Sequence, residues 1–248
     1  MTDHPTVLVI GGGATGAGIA RDLALRGVDV TLVERGGLAG GTSGRSHGLL
    51  HSGARYAEAD APGAEECLVE NRTLTAIAGE CVRETGGLFV RLADDDADYF
   101  EEKRRACEAI GIETERLDGA AARAAVTGLS DDVVEAFRVP DGVIYPSRLV
   151  AANAADAERH GATVHPHAPV ADTGVAEADV AEIRLGGATD APPVPDHVVR
   201  ATGACAARIA AVARVGVWMA PRLRRTALLQ RARPGPPAHR PRQPVHSD

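Results

Sequence analysis

Thr6-Val-Leu-Val-Ile-Gly-Gly-Gly-Ala-Thr-Gly16, continued through residues 17–33 to Glu34, decides the fold. The run 6–10 reads as a buried parallel strand, because a strand covered on both faces takes consecutive apolar residues rather than an alternation. It flows directly into three consecutive glycines. From 14 to 26 the apolar residues return at helical spacing, at Ala17, Ile19, Ala20, Leu23 and Ala24, and Gly27 marks the stop. Residues 28–33 predict a second strand with Glu34 at its tip. Strand, glycine turn, helix and strand together make a βαβ unit.

Within that unit each glycine has a physical job. Gly11 permits the tight turn, Gly13 lets the backbone approach a pyrophosphate, and Gly16 lets the helix pack close to the strand. The first helical turn, at Ala14 and Thr15, presents free N–H groups and the positive end of the helix dipole to phosphates. Glu34 lies 23 residues after Gly11 and is suited to accept hydrogen bonds from ribose hydroxyls. The turn alone does not choose between NAD and FAD. The next segment does: Gly40-Gly-Thr-Ser-Gly-Arg-Ser-His-Gly-Leu-Leu-His-Ser-Gly-Ala-Arg-Tyr56 is dense in small, hydroxyl and basic residues. Such a stretch brings N–H groups and the hydroxyls of Thr42, Ser43 and Ser46 to a pyrophosphate and then runs beneath a flat ring, which an NAD-only domain does not need there.

Composition bounds the rest. With 248 residues and 44% apolar side chains, the chain can bury a substantial core. Residues 1–5 lack a basic start, and every apolar run falls short of the roughly 20 residues that span a bilayer, so neither leader nor membrane span is expected. Cys67, Cys81, Cys107 and Cys205 are scattered, which points to reduced cysteines rather than disulfides or a metal centre. Asp94-Asp-Asp96 reads as a solvated helix start, and His165 and His167 as loop histidines without a third ligand; no metal is expected.

Charge is divided unevenly. Before Pro221 there are 20 basic and 33 acidic residues, a balance of −13, whereas the 28 residues from Pro221 carry +6 with seven Arg and six Pro. Lys103 is the only lysine. An acidic, lysine-poor body fits a salt-rich cytosol, and GC-rich codon usage explains it nearly as well. The tail reads either as a basic arm or as DNA translated in a shifted frame. The second reading is taken, with no nucleic-acid partner.

Gly41-Thr-Ser-Gly-Arg-Ser-His-Gly-Leu-Leu-His-Ser-Gly-Ala-Arg-Tyr56 and Val139-Pro-Asp-Gly142 resemble the FAD-dependent glycerol-3-phosphate dehydrogenases, especially the catalytic (A) subunit of the anaerobic enzyme. The likeness continues through Glu66-Cys-Leu-Val-Glu-Asn71, Gly87-Leu-Phe-Val90 and Val198-Val-Arg-Ala-Thr-Gly203. It implies an α/β fold, an FAD/NAD(P)-binding Rossmann-like domain of the glutathione-reductase-like, DAO type with a partial α+β substrate domain. It implies FAD contacts at Gly11, Gly13, Ala14, Thr15, Gly16, Glu34, Arg35, Thr42, Ser43, Ser46, His47, Gly48, Leu49 and Gly203. His51 would lie near the flavin, with Arg55 and Tyr56 facing the substrate, where a guanidinium suits a phosphate and a phenol a hydroxyl. The implied reaction oxidises sn-glycerol 3-phosphate to dihydroxyacetone phosphate. Electrons would pass to quinone through electron-transfer and membrane-anchor subunits, placing the chain in the cytoplasm or peripherally at the inner face of the membrane.

The chain departs from the family pattern in two places: Tyr145 stands where Asp is common, and Ala204-Cys205 where an aromatic residue is usual. The family's chains also continue well past position 220, so a truncation or frameshift near there is expected. The alternatives are another DAO-type flavoenzyme acting on an amino acid or 2-hydroxyacid, and an inactive FAD-binding remnant. Helices are expected at 63–84, 96–110 and 147–160, and extended segments at 88–92, 133–139, 162–165 and 196–200. The domains follow as 1–85 with 140–220 for FAD, 86–139 as a cap, and 221–248 as an aberrant, disordered tail.

Overall fold

The computed structural model describes residues 5–176, 179–186, 195–205 and 238–239. The chain divides into two compact units, one of Met1–His47 with Pro146–Thr226 and one of Gly48–Tyr145 with Ala227–Asp248. The breaks expected at 85/86 and 139/140 both fall inside the second unit.

The first unit is built on a parallel sheet of β1 (Thr6–Ile10), β2 (Asp29–Val33), β9 (Thr163–His165) and β12 (His197–Arg200), in the order β12-β1-β2-β9. Helix α1 (Ala14–Leu25) connects β1 to β2, and α5 (Pro146–Arg159) precedes β9. All of Val7, Leu8, Val9 and Ile10 are buried, which accounts for the unbroken apolar run. Val7, Val9, Val30 and Leu32 join Ala20, Ala24, Ala157 and Ala162 on the helix side, while Leu8, Ile10 and Val33 meet Ala168, Val170 and Leu185 on the other. Fully burying one such Val or Leu is worth about 1.5–3 kcal/mol, so the strand is held mainly by its two covers. The buried face of α1 is Gly16, Ala17, Ala20 and Ala24, side chains small enough for close approach to the sheet and to α5. An Arg21–Asp156 ion pair at 2.5 Å ties the two helices, and Gly27, at φ 76°, takes the left-handed conformation that stops α1. This unit also contains an antiparallel hairpin of β10 (Val170–Ala176) and β11 (Asp179–Leu185).

The second unit contains β5 (Gly87–Leu92), β6 (Glu115–Asp118) and β7 (Val133–Val139), with β7 antiparallel to both neighbours. Ala238–His239, the only part of the 221–248 tail among the described residues, forms a two-residue strand, β13, parallel to β5. The chain's three phenylalanines meet on one face of this sheet: Phe89 stacks on Phe137 at 5.0 Å, and Phe100 of α3 (Ala97–Ala109) tilts against Phe137 at 5.1 Å. The other face packs Leu88, Val90, Val133 and Ala136 on Ala122 of α4 (Gly119–Ala125). A smaller antiparallel sheet joins β3 (Leu49–Leu50) and β4 (Val82–Arg83) to β8 (Gly142–Ile144). That pairing holds residues 48–85 in the second unit.

The helix expected over 63–84 is shorter and starts earlier. Helix α2 runs Ala61–Ile77, begun by Asp60, whose carboxylate accepts from the Gly63 N–H at 3.1 Å. It ends before Gly79, where a 3-10 turn over Gly79–Cys81 leads into β4. Val82 and Arg83 find backbone partners on β8 that a continued helix would forgo. The Asp96 carboxylate caps α3, accepting from the N–H groups of Asp98 and Tyr99 at 2.9 and 3.2 Å.

Candidate functional site

In the first unit the chain leaves β1 toward β2 on one side while β12 flanks it on the other, so the carboxyl end of β1 is a topological switch point. Ligands of open α/β sheets bind at such points, where the diverging connections leave a crevice. Gly11 stands there at φ 116° and donates its N–H to the Val33 carbonyl at 2.8 Å. A Cβ on Gly11 would lie 2.5 Å from the Ala201 carbonyl oxygen, and one on Gly16 would lie 1.8 Å from that of Gly11. Gly11 therefore meets both the start of α1 and the 201–202 backbone with no side chain between them. Gly13 is the N-cap of α1, with no capping side chain of its own. The Ala14 N–H donates instead to Ser43 Oγ at 2.9 Å, from the 3-10 turn Ser43–Arg45. Thr15 and Thr42 are exposed, and Ser46 ends the turn.

Glu34, at the end of β2, is held through both carboxylate oxygens: Oε2 accepts from the Gly12 N–H at 2.8 Å and Oε1 from the Gly36 N–H at 2.9 Å. Two backbone donors orient the carboxylate beside the glycine turn, and its remaining lone pairs suit a sugar diol. Arg35 and His47 are exposed. Gly203, at φ 52°, opens a 3-10 turn directly after β12. Beside it the hydroxyl of Thr202 is buried with no hydrogen-bond partner among the described residues. Side-chain-free backbone, helix N–H groups, an oriented carboxylate and an orphaned hydroxyl in one cradle fit the phosphates and ribose of a dinucleotide. Gly12 and Thr202 were missed by the sequence reading; only the neighbouring Ala-Thr-Gly motif signalled the second.

The other expected residues lie in the second unit. Gly48, at φ 70°, accepts from the Ile144 N–H at 2.8 Å through its carbonyl, and Leu49 begins β3. His51 is half-buried and meets the Tyr56 ring edge-on, with centroids 5.4 Å apart at 73°. Tyr56 is 39% exposed. Arg55 is exposed and has no ion pair among the described residues. Glu58, its nearest acidic neighbour in sequence, instead receives the Tyr99 hydroxyl at 2.5 Å and faces Lys103 at 3.6 Å. The stretch rests on polar groups that spacing did not reveal. Buried Asp141, from the Val139-Pro-Asp-Gly142 motif, accepts from both the N–H and the hydroxyl of buried Ser52, at 2.7 and 2.8 Å. Asn71 Nδ2 bridges the Leu50 and Pro140 carbonyls at 3.2 and 3.4 Å. Among the described residues there is no cluster that could hold a metal ion, and no helix is long and apolar enough to cross a membrane.

Comparison with known proteins agrees with this geometry. The chain is 48% identical over 233 residues to the A1 subunit of the anaerobic glycerol-3-phosphate dehydrogenase of Haloferax volcanii, covering 89% of this chain and 40% of that protein. It is 52% identical over 158 residues to the corresponding (A) subunit of the Escherichia coli (strain K12) enzyme, covering 64% of this chain and 29% of that one. The chain thus spans well under half the length of these relatives. Among solved structures, glycine oxidase from Geobacillus kaustophilus matches with a TM-score of 0.70 at 25% identity, over 86% of this chain and 59% of that one. The FAD complex of glycerol-3-phosphate dehydrogenase from Bacillus halodurans matches with 0.62 at 22% identity, over 86% and 37%, a likeness of fold. The model of the family described as FAD dependent oxidoreductase (DAO) matches residues 6–247. With the dinucleotide cradle at the head of β1 and that match along nearly the whole chain, the protein belongs to the DAO family of FAD-dependent oxidoreductases, and FAD is its cofactor.

Proposed function

We propose that the chain is the FAD-binding part of a glycerol-3-phosphate dehydrogenase that oxidises sn-glycerol 3-phosphate to dihydroxyacetone phosphate. The observation that carries the reading is Arg55, an exposed guanidinium with no ion pair among the described residues, beside Tyr56 and His51. An arginine is the side chain best shaped for bidentate recognition of a phosphate. The names of the relatives in Haloferax volcanii and Escherichia coli support the same substrate.

FAD, when bound, supplies the two-electron acceptor that takes a hydride from C2 of the substrate. This chain's own residues do the rest. Gly11, Gly13 and Gly16 keep side chains out of the phosphate path, and the start of α1 offers its N–H groups and dipole. Glu34, oriented by the Gly12 and Gly36 N–H groups, accepts from the ribose hydroxyls. Ser43 and Thr42 extend the donor set, and Thr202 and Gly203 close it from β12. Arg55 holds the substrate phosphate, Tyr56 hydrogen-bonds a substrate hydroxyl, and His51 accepts the C2 hydroxyl proton as the hydride leaves. Electrons then pass to a quinone through partner subunits at the inner face of the membrane; that the relatives are named as subunits supports this route.

The test is spectroscopic. Purified protein should show flavin absorbance that bleaches on anaerobic addition of sn-glycerol 3-phosphate. Absence of flavin removes the cofactor assignment for this chain, and bleaching by an amino acid in place of the phosphate ester selects an amino-acid oxidoreductase.

A further inference from the structure

Helix α3 buries Phe100, Lys103 and Cys107 on one face, at positions i, i+3 and i+7. Phenylalanine and cysteine are ordinary core residues. Lys103 is a cation only 3% exposed, and it is the sole lysine among 27 basic residues. A buried ammonium is costly unless its protons find partners. Nζ donates to the Arg55 carbonyl oxygen at 2.9 Å, faces the Glu58 carboxylate at 3.6 Å and lies 5.8 Å from the centre of the Phe89 ring. Glu58 also accepts from Tyr99 of α3 at 2.5 Å, and the Cys107 thiol lies 3.8 Å from the Ala54 carbonyl. One face of one helix therefore grips residues 54, 55 and 58.

The turn is fixed on its other side as well. Ser52 is bonded twice to Asp141, and Gly53, at φ 94°, is pressed so close to α2 that a Cβ there would lie 2.2 Å from the Ala64 carbonyl oxygen. Ser52, Gly53, Ala54 and Ala57 are all buried, while the Arg55 guanidinium is exposed. A long flexible side chain takes its direction from the backbone that launches it, and among the described residues the group bonded to the Arg55 carbonyl is Lys103 Nζ. An arginine at 103 would bring a larger planar head to a slot that accepts a compact one, which accounts for a lysine in a chain that otherwise uses arginine.

We infer that Lys103 is a positioning residue for an anion site headed by Arg55, fixing the Arg55 backbone so that the guanidinium is presented to a phosphomonoester. The inference rests on Arg55 as the phosphate ligand of the proposed function. Replacing a buried charge by an apolar side chain of similar length is commonly tolerated when its partner charge is removed too, so Lys103→Met/Glu58→Gln separates positioning from folding.

The experiment is calorimetric titration of the full-length, flavin-loaded protein with inorganic phosphate, for wild type, Arg55→Ala, Lys103→Met, Lys103→Met/Glu58→Gln and Arg55→Ala/Lys103→Met. Flavin content and melting temperature are read on each variant. Lys103→Met and Lys103→Met/Glu58→Gln should each weaken phosphate binding about tenfold with flavin retained, and Lys103→Met should add nothing in the Arg55→Ala background, because residues acting through one another are not additive. Wild-type affinity in both Lys103 variants, or an undiminished further loss on top of Arg55→Ala, overturns the positioning role. Affinities that follow melting temperature across the set also overturn it, as a purely structural effect. Wild-type affinity in Arg55→Ala is a separate result that removes the Arg55 assignment itself, and the inference with it.

Discussion

A methyl group added at Gly16 would stand 1.8 Å from the Gly11 carbonyl oxygen, whereas one added at Gly18, two residues along the same helix, meets nothing within 4 Å. The first contact is backbone against backbone, so nothing flexible can yield. Gly16→Ala is expected to cost about 3 kcal/mol and to release the flavin, because helix and turn must separate. Gly18→Ala should stabilise by roughly 0.5–1 kcal/mol, since an alanine in a helix interior loses less conformational entropy and finds open space. Urea denaturation with flavin content measured on the same samples checks both, and similar behaviour of the two variants would contradict the cradle. At this scale the glycine spacing was legible, because Gly11, Gly13 and Gly16 follow from what a phosphate-binding turn requires. The role of Gly12 was not legible: its N–H orients Glu34, and a backbone donor has no sequence signature. Lys103 and Asp141 were equally silent, since a buried polar residue is recognised by its partners and these lie far off in the chain, at Arg55 and Ser52.

At the scale of elements, α3 is tied to its sheet by Glu101. Its carboxylate gathers Arg104 at 2.9 Å and Arg105 at 3.1 Å from its own helix, and Arg116 from β6. Hydrogen bonding to Arg104, with the added charges of Arg116 and Arg105, lowers its pKa from 4.5 to about 2. The charged form is the one the folded state favours, so the contribution is complete above pH 4.5 and is lost as pH falls toward 2. The cluster faces water, and solvent screening limits it to about 1 kcal/mol. Glu101→Gln should therefore be less stable than wild type by that amount at pH 7, with the gap closing between about pH 4.5 and 2 in denaturant titrations. A gap that widened on acidification would reverse the assignment. Legibility at this scale followed length and period. The β1-α1-β2 unit, α3, α5, β5 and β7 were recoverable because each shows a sustained apolar rhythm or a recognisable start and stop. Strands β3, β4 and β8 were not, because with no helix leading into them such short strands exist only through their pairing; β9, as short, was expected at 162–165 because it follows a helix. The same pairing, Val82 with Ile144, ended the helix expected to run to 84. The short helix α4 was also overlooked, although Asp118 ahead of an alanine run is a cap signal and its carboxylate accepts from the Ala121 N–H at 2.7 Å.

For the molecule as a whole, the decisive quantity is the acidic excess, 33 carboxylates against 20 cations before Pro221 and −7 overall. Salt acts on this distribution in two opposing ways. It weakens exposed ion pairs such as Arg26–Asp22, and it screens repulsion among the surplus carboxylates. Pairs in contact are screened less than charges many ångströms apart, because the Debye length falls from about 10 Å at 0.1 M to about 3 Å at 1 M. Relief of repulsion should therefore win at pH 7. We expect the melting temperature to rise by roughly 5 °C between 0.05 and 1 M KCl, corresponding to about 2 kcal/mol for a chain of this size. Potassium chloride is the suitable salt, since sulfate stabilises by exclusion from the surface whatever the net charge. The same titration near the isoelectric point of about 5.7 supplies the control. With no surplus charge left to screen, the gain should vanish or change sign there. A rise of equal size at both pH values would assign the effect to preferential exclusion, and a fall at pH 7 would mean that the ion pairs outweigh the excess.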